Sequence, residues 1–250
     1  MPELDPFTLT CVTILIAYLS SGAMYFMSKL NGRTNGMSVC AGAGFLMATG
    51  LLFAPFHDFA PFHDALPAHV LNLLSNVLTF TGLCLLLRGI RRSRGLRRVR
   101  LRRCVSVIAI YSALFAYWLY GSYNLRAQSI LASLAIAVTM AAAARAMGMG
   151  VEPRDRPIYW TTAFFYAAAA FAAGLRGVWY FAAVPPGSLF SPYRVELLSI
   201  ALIDLASMGA FGLCLATNLR LIRAAEELSL YDALTNLPQP PSAGGAPHSG

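Results

Sequence analysis

Charge is what this chain has least of. Charged residues make up 12% of its 250 residues, against about 25% in an ordinary soluble domain. Lysine is almost missing: Lys29 is the only one. So sparse a charge, in a sequence that is 57% hydrophobic, excludes a soluble globular domain and points to a membrane protein. The five cysteines (Cys11, Cys40, Cys84, Cys104 and Cys214) sit in or beside apolar segments without C-x-x-C spacing. They read as small hydrophobes, not as a disulfide frame or a metal site. There is no H-E-x-x-H and no G-x-S-x-G, which removes the common hydrolase signatures. A lone lysine at the edge of the first apolar segment excludes a retinal-type Schiff base, which needs an amine in the bundle core.

What is present is a series of long apolar runs. A helix that crosses a bilayer needs ~20 apolar residues. Seven segments meet that length: Phe7–Lys29, Ser38–Phe56, Leu66–Ile90, Cys104–Tyr123, Leu125–Met147, Tyr159–Ala182 and Tyr193–Ile222. Each is apolar all round, as expected of a helix solvated by lipid and by other helices. The expected fold class is therefore all-α, a polytopic seven-helix transmembrane bundle. Residues 1–222 form that domain, 223–238 a signalling helix that leads out of it into the start of a further motif, and 239–250 (QPPSAGGAPHSG) a low-complexity tail expected to be disordered.

The formal net charge of +8 is concentrated between the runs. The link after the third run carries eight arginines: Arg91, Arg92, Arg94, Arg97, Arg98, Arg100, Arg102 and Arg103. Lys29 and Arg33 follow the first run, Arg145, Arg154 and Arg156 the fifth, and Arg220 and Arg223 the seventh. All lie on one side if the chain starts on the other, where only Arg126 and Arg194 occur. The positive-inside rule then places the N-terminus outside and the C-terminus in the cytoplasm. MPELDP lacks a basic n-region, so the first run reads as a retained helix and not as a cleaved signal peptide. The arginine link has no interleaved aromatics for stacking bases and is tethered between two spans, so nucleic acid is not the expected partner. The lipid bilayer is, with anionic headgroups at the arginines.

Four groups of residues are candidates for chemistry. The second and third runs are joined by a tandem repeat, Ala54-Pro-Phe-His-Asp and Ala60-Pro-Phe-His-Asp, with His69 beyond it. His57, Asp58, His63 and Asp64 are of the right type to bind a metal or sense external pH, although their spacing of six fits no helical ligand pair, and the prolines make the segment a turn. A duplicated interfacial loop explains it equally well. Arg176 in the sixth run, with Asp204 and Glu196 in the seventh, are ionisable groups in a place where such groups are usually paired or functional. They make either an ion pair that sets helix register or the core of a ligand site. Asn72 and Asn76, four apart on one face, are expected to bond to neighbouring helices, and the alanine-rich fifth and sixth runs to pack closely.

After Ile222 the sequence RAAEELSLYDAL favours helix, and Arg223 stands four before Glu227, as in a helical ion pair. Leu221, Ala225 and Leu228 offer a short apolar seam of the kind that a two-helix dimer stalk uses, so a homodimer through this C-terminal helix is expected. It leads into LSLYDALTNLPQ, which resembles the opening motif of GGDEF diguanylate cyclase domains, D-x-L-T-G-L-x-N-R-R. Asp232, Leu234, Thr235, Leu237 and Pro238 match. Asn236 stands where glycine is usual, a mild change because asparagine tolerates a left-handed backbone. Gln239 replaces the usual asparagine, and Pro240 and Pro241 replace the usual arginines.

The resemblance implies a seven-span sensory input module of a cyclic di-GMP signalling protein, in the bacterial inner membrane. The full-length relative would convert GTP to cyclic di-GMP with Mg. This chain would hold no cofactor and have no catalytic residue of its own. A cyclase domain needs on the order of another 150 residues, and no acidic residue follows Asp232 to hold metal ions for phosphoryl transfer. The expectation is a truncated or frame-shifted gene, or a trimmed chain, that is not an enzyme as written. The alternative from a different class is a small-molecule transporter built on Arg176 and Asp204. An odd number of spans and the lack of inverted halves speak against it.

Overall fold

The computed structural model describes residues 6–30, 35–57, 66–97 and 99–182, and singly Gly209, Gly212, Asn218, Ile222 and Arg223. It is all-helical over those residues. Six helices follow one another: α1 (Pro6–Leu30), α2 (Asn35–His57), α3 (Leu66–Ser93), α4 (Leu101–Ala116), α5 (Leu125–Gly148) and α6 (Arg156–Phe181). All six are long and apolar enough to cross a membrane, α4 together with the π-helical turn that follows it. This is the architecture of a multi-pass membrane protein. The reason is local: hydrocarbon offers backbone N–H and C=O groups no water, so each must be paired inside its own segment. The 24 residues of α5 make a rod of ~36 Å, enough for a hydrocarbon layer of ~30 Å.

Polar side chains are satisfied in the same local way. The hydroxyls of Ser20, Ser21, Thr81, Ser112, Thr139 and Thr162 each donate to the carbonyl four residues back, which removes a donor from lipid at the cost of a slight bend. Asn72 and Asn76 behave likewise. Asn76 Nδ2 donates to Asn72 Oδ1 at 2.8 Å and to the Asn72 carbonyl at 3.0 Å. The expected bonds to neighbouring helices are thus replaced by a pair within α3.

Helix ends follow their capping residues. Asn124 precedes α5, and its side chain accepts from the Ala127 N–H at 3.1 Å. α3 ends in a Schellman motif. Gly95, at φ 67°, donates to the Arg92 carbonyl, and Leu96 donates to Arg91 at 2.9 Å. α6 begins with Asp155 and Pro157 in the positions that suit an acid and a proline.

Helix pairing is antiparallel between neighbours. The closest pair is α2 with α3. Gly36, Cys40, Ala43, Met47 and Gly50 recur in alternating steps of four and three along α2, and they face Ser75, Thr79, Gly82, Leu86, Gly89 and Ser93 along α3. That 3.5-residue period is the coiled-coil repeat, here carried largely by small side chains. A methyl group on Gly82 would lie 2.7 Å from the Ala43 carbonyl oxygen, and one on Gly89 would lie 2.9 Å from the Cys40 nitrogen. The backbones approach until only hydrogen fits between them. Ser75 Oγ then reaches across to the Gly50 carbonyl at 2.7 Å. α1 joins this pair through Tyr18, whose hydroxyl lies 3.0 Å from Thr49 Oγ1. α5 and α6 form the second close pair, and α3 connects the two through α5.

The seventh expected span, Tyr193–Ile222, lies mostly outside the described residues. Its described residues are helical. A methyl group on Gly209 would lie 2.8 Å from the Tyr166 ring, and one on Gly212 would meet the Thr162 hydroxyl. Rising numbers there meet falling numbers on α6, so the two run antiparallel.

Two local details differ from expectation. α2 continues through Ala54-Pro55-Phe56 to His57, where the prolines of the repeat suggested a turn. Pro55 removes only the bond to the Leu51 carbonyl, and the helix stops two residues later, so no continuing helix is misaligned. In the fourth run, the α-helix gives way to a π turn over Tyr117–Gly121. Ser122 N–H bonds to the Tyr117 carbonyl at 3.2 Å, and the buried Gln128 donates to the Trp118 carbonyl at 3.0 Å.

Candidate functional site

The residues with the most unusual chemistry gather at one end of the bundle. Gly36 at the start of α2 lies against Ser93 at the end of α3. Arg94 Nη2 donates to the Met149 carbonyl after α5 at 2.5 Å, and its guanidinium lies 4.3 Å from the centre of the Tyr159 ring on α6. Asp155, at the N-terminus of α6, pairs with Arg223. The end of α3, the end of α5, the start of α6 and residue 223 are therefore neighbours. The basic segments separated in sequence by apolar runs share one end of the molecule.

Each contact has a local cause. The left-handed turn at Gly95 brings Leu96 and Arg97 back beside the end of α3, where Arg91 Nε donates to the Arg97 carbonyl at 3.1 Å. Arg94 is planar and weakly hydrated, so it can lie on an aromatic face while still donating to a carbonyl. Asp155 gains twice: the first N–H groups of α6 favour a negative charge there, and Arg223 supplies the counter-ion. The side chains of Arg223 and Asp155 retain 25% and 17% of their exposure, so the pair is partly shielded from water.

Arg91, Arg97, Arg100 and Arg103 line a hollow of about 280 Å3 together with Val99. Of the other arginines in the link, Arg92 is half-buried and Arg102 exposed. The position of Arg98 lies outside the described residues.

The other candidates stand apart from this end. Arg176 is on α6, with its guanidinium 5.9 Å from the Tyr180 ring. Its expected partners Asp204 and Glu196 lie outside the described residues. So do Asp58, His63 and Asp64, leaving His57 as the last residue of α2. Among the described residues, no three His, Cys, Asp or Glu side chains come together as a metal site. His69 packs edge-on against Tyr120 and Tyr123, at 5.7–6.1 Å between ring centres. No disulfide joins Cys11, Cys40, Cys84 and Cys104. Asp232, Leu234, Thr235, Leu237 and Pro238 lie outside the described residues, as does Glu227.

Sequence reasoning missed the link between Arg223 and Asp155. It assigned Arg223 to a helical neighbour four residues on and did not single out Asp155. The available signal was Asp155 just before Arg156-Pro157, the mark of a helix start that favours an added cation nearby. It also missed the Gly209-x-x-Gly212 pair that seats the seventh segment on α6. Compared with protein-family models, with curated proteins and with solved structures, the chain matches none.

Proposed function

We propose that the chain is a membrane sensory input module of a cyclic di-GMP signalling protein, in the bacterial inner membrane. Its N-terminus is outside and its C-terminus is in the cytoplasm, where the arginine-rich end meets anionic headgroups. The observation that carries the reading is the seat of Arg223 on Asp155 at the basic end, nine residues before Asp232 of the GGDEF-like motif. A segment anchored there delivers the motif to the side on which the basic charge is collected. Gly209 and Gly212, close against Tyr166 and Thr162 of α6, give the same segment a second point of contact with that helix. Any displacement of α6 then moves Arg223, and through it the start of the motif. In this reading GTP and Mg belong to a cyclase domain, two chains pair through the C-terminal helix, and this chain supplies input alone.

The test is a chimera in which residues 1–238 precede an active GGDEF domain. Cyclic di-GMP is measured in cells carrying the wild-type chimera and its Asp155→Asn variant. A several-fold change in output between the two, at equal protein level, supports the reading. Output equal to that of the free GGDEF domain, and unmoved by Asp155→Asn, overturns it. Activity of alkaline phosphatase fused after residue 223 would also overturn it, because that enzyme needs the outer side.

A further inference from the structure

A cleft between α3, α4 and α5 has a volume of about 400 Å3. Its walls are Cys84 and Leu87 from α3, Val107 and Tyr111 from α4, and Leu134 and Val138 from α5. Apart from one end the lining is almost wholly apolar. That end is closed by Val99 and Arg103, which also line the arginine hollow. The two spaces are therefore neighbours that share a wall: an apolar slot beside a hollow faced by Arg91, Arg97, Arg100 and Arg103.

The slot exists because α4 stands off from the rest. α4 packs mainly on α3 and makes no extended contact with α5. Val107 is half exposed at 49% and Leu134 at 59%, so the slot opens sideways where the hydrocarbon of a bilayer would be. The hollow has a single sign of charge. No acidic residue occurs between Asp64 and Glu152, and Asp155 is engaged by Arg223.

We infer that this cleft holds one anionic membrane lipid, with its phosphate on the arginines and an acyl chain in the slot. The occupant follows from charge complementarity joined to apolar shape. Guanidinium groups bind phosphate by paired N–H donors, and basic hollows between membrane helices suit lipid headgroups. A soluble anion would leave the slot unfilled, and a neutral lipid would leave the four arginines without a counter-charge. The inference stands on the cleft alone and does not depend on the sensor reading. Its failure would leave the chimera result untouched.

The test uses the full chain in phosphatidylcholine vesicles that contain a minor fraction of phosphatidylglycerol carrying a photoactivatable acyl chain. After irradiation, labelled peptides are mapped. The expected result is saturable label on residues 101–116 and 131–139, in preference to the other lipid-facing surfaces. Photoactivatable phosphatidylcholine at the same fraction should label those peptides much less. The double variant Arg100→Gln/Arg103→Gln should lower the cleft label by about tenfold or more, given the worth of two arginines at an anionic surface. Leu134→Trp should lower it by filling the slot, while Val178→Trp, on an exposed face of α6, should leave it unchanged. Label spread evenly over all lipid-facing helices overturns the inference, and so does equal labelling by the two lipids. Loss of label to soluble glycerol phosphate, which has the headgroup chemistry without the tail, also overturns it. Should Leu134→Trp fail to fold, the wild-type peptide map and the arginine variant decide the matter by themselves.

Discussion

α2–α3 and α4 are all apolar, all long enough to span a membrane, and yet packed by opposite rules. Between α2 and α3 the small residues Gly36, Ala43, Gly50, Gly82 and Gly89 bring the backbones together. α4 presents Leu101 and Val105 outward, turns Ile110 and Leu114 to the cleft, and meets α3 in part through Tyr111, whose ring lies 4.2 Å from that of Phe80. Lipid tails are as apolar as leucine, so apolarity by itself does not draw helices together in a membrane. What draws them is fit. A glycine face lets two helices gain dispersion contacts that lipid cannot match. A face of branched and aromatic side chains is solvated by lipid about as well as by protein, and so it can stand off and leave a cleft.

The contrast can be broken most sharply at Gly82. Gly82→Val puts side-chain atoms against the Ala43 carbonyl and Met47, where backbone cannot yield. It should cost about 2–3 kcal/mol by overpacking, read as a lowered midpoint in SDS titration of the protein in mixed micelles. Gly209→Ala asks whether the same device seats the seventh segment. Its added methyl meets the fully buried ring of Tyr166, and the expected loss is about 1–2 kcal/mol. Tyr111→Leu removes the aromatic contact that tethers α4. The expected loss of about 1 kcal/mol should appear mainly as faster modification of Cys104, which is buried on the same helix. Smallest is Val105→Ala on the outward face of α4, which should stay within about 0.5 kcal/mol of wild type by the same titration. A large loss there, or none at Gly82, would erase the distinction between the two regions.

Much of the fold was legible beforehand. The expected spans Ser38–Phe56 and Tyr159–Ala182 differ from α2 and α6 by three residues or fewer at each end. The arginine link joins α3 to α4 as expected, although Arg91 and Arg92 prolong α3 and Arg102 and Arg103 already belong to α4. Less of the candidate site was legible. Arg223 was expected to pair with Glu227, which lies outside the described residues, and it meets Asp155, a residue far away in sequence that only the folding of the chain brings near. Asn72 and Asn76 were expected to bridge helices and bond to each other, because a partner four residues away is always within reach. The π turn at Tyr117–Gly121 had no visible mark, since its stabilising bond comes from Gln128 on the next helix.

The sequence by itself determined that the chain is a set of membrane-length helices with most of its basic charge gathered in and beside the links between them. Helix formation in hydrocarbon and the placement of arginine are decided segment by segment, by backbone pairing and by charge. Only the tertiary structure decided which helices touch, that Asp155 holds Arg223, and that a cleft lies open beside Arg103. Those outcomes depend on shape matched between distant residues, and for apolar helices in an apolar solvent shape is the quantity that composition does not record.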